Sequence, residues 1–334
     1  MKRDIERERP MKKWIVIAVL ITAWILCLPY PSEAQRIYRI GVLLADDWFA
    51  PAFDGFKKKM EELGYREGKN LKYGLYNANW DRNLLTEMAA RLSQDKPDVI
   101  VASSATAAAA LATGTRGADI PVVFLSVADP LRFAKSYASS GNNFTGISTS
   151  SINLTEKRIE LLKELVPKIK RAITLHNSRG PNYETNLHAT REAGKRLGLD
   201  LAEVTVSSSD ELIQRATSLL TQKMGEAVIF PPDPIVTATQ KTIYPHVIRE
   251  RLPSVAASVG NVHAGALATY AADYFALGQQ GAMLVNKILK GSRPVDLPIE
   301  QPLKLNLVIN IKTAKGIGLR IPKEILLRTD EIVE

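Results

Sequence analysis

The chain has 334 residues, 46% of them hydrophobic and 24% charged, with a formal net charge of +9. Those proportions fit a globular protein of about two domains and exclude a disordered or fibrous chain. The basic residues are scattered over helical patterns, with no run of five after Lys13, so the charge reads as a solvated surface biased toward anionic small ligands and not as a nucleic-acid interface.

The first 34 residues have the charged, apolar and small-residue order of a secretory signal peptide: Lys2, Arg3, Lys12 and Lys13, then an apolar run from Trp14 to Leu28, then Ser32-Glu-Ala. The run is short of the ~20 residues a membrane span needs, so cleavage after Ala34 is expected. Removing this segment takes away six basic and four acidic residues and leaves about +7. Cys27, the only cysteine, leaves with it, and Leu26 before it does not fit a lipid-anchored cysteine. The mature chain then has no thiol, which suits an oxidising compartment and excludes disulfides.

Beyond the leader, short β-branched runs alternate with longer helical patterns, the signature of βαβ units around parallel sheets. The pattern predicts a strand over 40–44, a helix over 52–63 closed by Gly64, a strand over 71–76 and a helix over 84–92 with one apolar face. A wholly apolar strand follows at 98–102, then an alanine-rich helix at 105–112 and a strand at 122–125. After Phe144-Thr-Gly-Ile-Ser-Thr and a helix at 156–165 the order repeats: strand 173–176, helix 185–197 closed by Gly198, strand 202–206, helix 211–222, and strands at 227–230 and 255–257. A helix at 277–289 and a late strand at 305–310 complete the chain.

The repetition is visible in the residues themselves. Arg39-Ile-Gly-Val-Leu-Leu-Ala returns as Arg171-Ala-Ile-Thr-Leu-His-Asn, Asp98-Val-Ile-Val-Ala returns as Glu226-Ala-Val-Ile-Phe, and Ile120-Pro-Val-Val-Phe returns as Leu252-Pro-Ser-Val-Ala, each 128 to 132 positions later. Two similar lobes with a cleft between them follow, and the segments after the second copy imply that the chain crosses between lobes more than once, as a hinge does.

Ligands of parallel sheets bind outside the carboxyl ends of the strands, so the residues after each strand are the candidates. The first lobe offers Asp46 and Trp48, then Ser103-Ser104-Ala105-Thr106, then Ser126 and Asp129; the second offers Asn177 and Ser178, then Asp233, then Ser258 and Gly260. Hydroxyls opening a helix, as at 103–106, combine free N–H groups with the positive end of the helix dipole and suit a carboxylate, although simple capping uses the same residues. Ser207-Ser208-Ser209-Asp210 reads as such a cap. Asp129 and Asp233 can take an ammonium or can form turns with the prolines that follow them, and Trp48 can stack on a ligand or pack the lobes.

An enzyme is not indicated. His176, His188, His246 and His263 have no metal-ligand spacing, and G-x-S-x-G, P-loop and dinucleotide-binding motifs are absent from the sequence. Catalytic residues, metal and cofactor are all expected to be none.

In combination and order, Gly64-Tyr-Arg-Glu-Gly-Lys-Asn, Lys96-Pro-Asp-Val-Ile-Val-Ala, Asp129-Pro, Asn142-Asn-Phe-Thr-Gly, Leu161-Leu-Lys-Glu-Leu-Val-Pro, Gly265-Ala-Leu-Ala-Thr-Tyr and Asn310-Ile-Lys-Thr-Ala-Lys make the chain similar to the substrate-binding proteins of ABC transporters, in the subgroup associated with aromatic amino acids. The resemblance implies an α/β protein with the type I periplasmic-binding-protein fold: two doubly wound parallel-sheet lobes joined by a multi-strand hinge, with 36–148 and 268–300 in the first lobe and 149–267 and 301–334 in the second. It implies a periplasmic receptor that closes on a small ligand, an amino acid (aromatic or other hydrophobic) or related carboxylate, and delivers it to an ABC permease with its ATPase; a sensory subunit of the same fold is the alternative. Carried over to matching positions, Ser104 to Thr106 would hold a carboxylate and Asp273 would be the leading partner for an α-ammonium. Pro232-Asp-Pro and Tyr270-Ala depart from the usual family residues and bear on which ligand is taken.

Overall fold

Strand β1 (Tyr38–Leu44) is apolar over its last five residues, and every one of them is buried. It lies between β2 (Leu71–Asn77) and β3 (Val99–Ala102) in a parallel sheet with β4 (Val122–Val127), β5 (Phe144–Ser148) and β11 (Ile299–Glu300), in the order β11-β5-β4-β3-β1-β2. The register pairs Ile40 with Tyr73 on one side and with Val99 on the other. Helices α1 (Ala50–Glu62), α2 (Arg82–Asp95) and α3 (Ala105–Gly114) cross between these strands. The structure is a computed structural model that describes residues 36–115, 119–180 and 182–334; the segment 1–34 read as a signal peptide lies outside them.

After α4 (Thr155–Leu165) the plan repeats with β6 (Arg171–Asn177), α5 (Tyr183–Leu197), β7 (Asp200–Val206), α6 (Ser209–Leu219), β8 (Val228–Ile229), α7 (Pro234–Arg249), β9 (Ser254–Val255), α8 (Val259–His263) and β10 (Ala268–Ala272). The chain then runs through α9 (Tyr274–Leu289), β11, β12 (Leu305–Asn310), α10 (Ile311–Ile317), α11 (Lys323–Leu327) and β13 (Glu331–Val333). The second sheet has the order β13-β12-β10-β9-β8-β6-β7 and is parallel except for the β10–β12 pair. The orders β2-β1-β3-β4-β5 and β7-β6-β8-β9-β10 are the same, so the repeat seen in the residues is a repeat of doubly wound topology.

Each sheet is covered on both faces, as all-parallel sheets require. In the first lobe Phe53, Phe56 and Met60 of α1 with Leu277, Leu284 and Val285 of α9 cover one face, and Leu85, Leu92 and Leu111 of α2 and α3 cover the other. Helices α1 and α9 meet backbone to backbone, because a Cβ at Gly278 would sit 1.8 Å from Ala52 O and one at Gly55 2.0 Å from Phe275 O. In the second lobe Leu212, Ile243 and Val247 fill one face while Ile159, Leu162 and Ile317 fill the other.

Three differences from the sequence reading have local causes. Residues 268–272, assigned to the first lobe, form β10 between β9 and β12 of the second sheet; only from α9 onward does the chain return to the first lobe. Helix α7 was not anticipated, because Pro245 lies inside it and Val, Thr and Ile dominate it; Pro234 nonetheless occupies the first turn, where its missing N–H costs nothing. The short strands β11 and β13 are too brief to show a period.

The chain crosses between the sheets after β5, after β10 and after β11. Polar bonds tie the crossings together. Arg158, 2% exposed, donates to Ser151 O after β5 and, at 3.3 Å, to Tyr270 O of β10. Ser150, at φ +51°, donates to Gln301 Oε1 after β11. Burial without a carboxylate partner lowers the Arg158 pKa to about 9.

Candidate functional site

The strand ends of both lobes face one another, and the same residues that start the helices there line the gap. Ser104 caps α3 by accepting from Ala107 N–H at 3.2 Å, and its Oγ lies 2.9 Å from Thr106 Oγ1. The first-turn N–H groups at Ala105 and Thr106 have no intrahelical partner. Asp233 caps α7 by accepting from Ile235 N–H at 2.9 Å, and Ser258 caps α8.

Between these caps lies a cavity with about 660 Å³ of empty space, its open mouth included. The first lobe contributes an aromatic wall. Phe49 stacks on Tyr274 with centroids 6.0 Å apart and meets Trp80 edge-on at 5.9 Å, and Trp48 bonds to Tyr274 through its side chain. Burial pushes the Tyr274 hydroxyl up to about 12, so it is neutral. Trp80 stands at φ +64° after Asn79 at +47°, a left-handed pair that bulky side chains avoid. The turn is held by Trp80 N–H donating to Ala45 O at 2.8 Å and Asn79 N–H donating to Asn77 Oδ1 at 3.0 Å. Strain of this kind collects at functional sites.

The polar groups of the cavity are incompletely partnered. Ser126 Oγ from the first lobe and Asn182 Oδ1 from the second are buried with no hydrogen-bond partner among the described residues. Asp233 accepts from Asn177 Nδ2 at 3.1 Å but has no ion pair among the described residues. Burial, the largest influence, raises its pKa, against the lowering by the Ile235 and Asn177 hydrogen bonds and the Arg82 charge. A half-buried carboxylate held that way gains from an incoming cation.

Of the residues expected from the sequence, Trp48, Ser104, Ala105, Thr106, Ser126, Asp233 and Ser258 line this cavity. The others serve it from outside or stand apart. Ser103 Oγ accepts from Ala45 N–H at 3.0 Å, and Asp46 Oδ1 accepts from Trp48 N–H at 2.9 Å, which fixes the backbone under the indole. Asn177 orients Asp233, Ser178 donates to Val206 O at 3.3 Å, and Asp129 precedes a 3-10 turn, half-buried.

Gly260 and Asp273 line a second cavity, about 810 Å³ with its mouth, on which Trp48 and Ser258 also border. A Cβ at Gly260 would lie 2.4 Å from the Trp48 ring, so this glycine is the notch in which the first-lobe indole seats against the second lobe. Asp273, expected as the ammonium partner, stands apart from the first cavity: its Oδ2 lies 2.8 Å from Lys304 Nζ and its Oδ1 caps α9. Phe49, next to Trp48 after the first strand, lines the cavity too, and Trp80, Thr149, Ser151, Asn182, Thr237 and Tyr274 line it without having been singled out. Trp80 follows a strand end and Tyr274 adjoins Asp273, which was signal enough to include them; Asn182 and Thr237 carried none.

Among the described residues no cluster of three or more His, Cys, Asp or Glu could hold a metal ion, and no helix is long and apolar enough to cross a membrane.

The profile described as ABC transporter substrate binding protein matches residues 39–333. A tyrosine-binding protein of Clostridioides difficile is 28% identical over 291 residues, which is 86% of this chain and 83% of that one. Among solved structures, an ABC domain from Streptococcus pneumonia in complex with L-Trp superposes with a TM-score of 0.81 at 24% identity, covering 89% of this chain and all of that one. A ligand-free, open substrate binding protein with adhesive properties from Clostridium difficile gives 0.70 at 26% identity, covering 89% and 99%.

Proposed function

The chain belongs to the ABC transporter substrate-binding protein family, and from that premise we propose that it is a periplasmic receptor that closes on an aromatic amino acid and hands it to an ABC permease. The observation that carries this reading is one cavity, walled by residues of both lobes, that combines an aromatic box, a helix start free for a carboxylate and a half-buried Asp233 without an ion pair among the described residues. In this arrangement the first turn of α3 takes the ligand carboxylate, Asp233 takes the ammonium, and the side chain stacks among Phe49, Trp80 and Tyr274. Ser126 Oγ and Asn182 Oδ1 gain the partners they lack. The tyrosine-binding relative and the neighbour solved with L-Trp support an aromatic ligand, and the leader-like segment 1–34 supports export.

A ligand that touches both lobes binds the closed form better and shifts the population toward it, so ligand occupancy becomes a shape that a permease can read. Trp48 seated on Gly260 is the contact that closure makes. Calorimetric titration of the purified protein with L-tyrosine, L-tryptophan and L-phenylalanine tests the reading: saturable binding of at least one is expected, and binding of none, with a folded protein, would sink it.

A further inference from the structure

The cavity continues past Trp80, Thr106 and Pro234, since these three also line a neighbouring cavity of about 930 Å³, its mouth included. That neighbour has a different electrostatic character. No Asp or Glu lines it, while Arg82 of the first lobe and Arg179 of the second both do. Among the described residues neither guanidinium has a carboxylate partner. Asp81, next to Arg82, is turned to Asn83 N–H and Leu84 N–H as the cap of α2, and Glu211 is turned to Ser207 N–H, Ser207 Oγ and Arg215.

Two like charges brought to one cavity by opposite lobes oppose closure unless an anion lies between them. A guanidinium is a planar fork matched to carboxylate and phosphate oxygens. The hydroxyl-rich stretch Ser207 to Ser209 and the Asn177 amide complete a polar wall. The joined space is therefore acidic at Asp233 and basic at the arginines, and the Arg82 charge is felt at Asp233.

We propose that this neighbouring cavity is an oxyanion subsite, in which Arg82 and Arg179 clamp a carboxylate or phosphate from the two lobes. The group is either an extension of the ligand in the main cavity or a free anion bound beside it. The first source rests on the amino-acid reading given above; the second does not.

The purified protein is titrated calorimetrically with L-tyrosine, L-tyrosyl-L-glutamate, O-phospho-L-tyrosine and inorganic phosphate, as wild type and as the Arg82→Gln/Arg179→Gln double variant. At least one anion-bearing tyrosine derivative is expected to bind about tenfold tighter than L-tyrosine or better. The double variant is expected to lose that gain and keep its affinity for L-tyrosine and its melting temperature. Phosphate that binds alone to the wild type and not to the double variant identifies a free anion as the source. The proposal is overturned if no derivative exceeds L-tyrosine and phosphate does not bind, or if the double variant binds every probe as the wild type does. Absence of L-tyrosine binding with arginine-dependent phosphate binding overturns the amino-acid reading and leaves the subsite standing.

Discussion

Asp233 and Asp273 occupy the same local position, an acid at a strand end that caps the next helix, yet their electrostatic situations are opposite. Asp273 meets Lys304 at 2.8 Å; burial, the largest single influence on it, raises its pKa, but the hydrogen bonds from Lys304, Ala276 N–H and Asn306 together with the Lys304 charge outweigh it, and its pKa falls. Asp233 has an amide and an N–H for partners and no cation, so burial prevails and its pKa rises. Capping thus says nothing of binding. What the proposed function draws on in this cleft is a half-buried charge with no ion pair among the described residues.

The comparison makes unequal demands on the two acids. Asp233→Asn is expected to weaken aromatic amino-acid binding about a hundredfold, the cost of leaving a ligand ammonium unpaired in a desolvated site. Asp273→Asn is expected to change it less than about threefold, because its partner is Lys304. Equal losses in calorimetry would break the distinction. Gly260→Ala probes the Asp273 side without touching either acid: a methyl forced against the Trp48 ring is expected to hold the lobes apart and weaken binding about tenfold. The melting temperature of the ligand-free protein should not move.

Acidification gives a smaller, graded effect. An ammonium ligand requires Asp233 ionised, so affinity is expected to fall as pH drops through its raised pKa, above the ordinary ~3.9, and the fall should be missing in Asp233→Asn. A second buried group must be separated from this one. His176, 2% exposed, is held neutral by burial with its pKa near 4, and its Nδ1 has no partner among the described residues. Its folded pKa lies below the unfolded value of about 6.5, so the unfolded state takes up more protons and stability falls as pH drops from about 6.5 toward 4, by about 3 kcal/mol. Above that window the contribution is flat. Denaturant unfolding of His176→Gln should lack this slope, and an unchanged slope would assign it elsewhere.

Most of the fold was legible because each sheet is buried on both faces, so strands such as 99–102 read as unbroken apolar runs and the helices between them as one-sided patterns. Helix α7 was hidden by Pro245 and by β-branched residues that it buries within the second lobe. The site was half legible. Helix starts announce themselves through Ser and Asp, which is why Ser104, Asp233 and Ser258 were found. The partner of Asp273, Lys304, is 31 positions away on the far side of a crossing, and no local pattern connects the two. The same crossing explains the lobe boundary: β10 is continuous in sequence with α9, but they pack in different lobes.

The most direct test is a crystal structure of the protein with L-tyrosine bound. The ligand ammonium is expected within hydrogen-bond distance of Asp233, its carboxylate at the first turn of α3 and its ring against Phe49, Trp80 and Tyr274, with Asp273 still paired to Lys304. A ligand whose ammonium displaces Lys304 from Asp273, leaving Asp233 without a cation, would contradict the account.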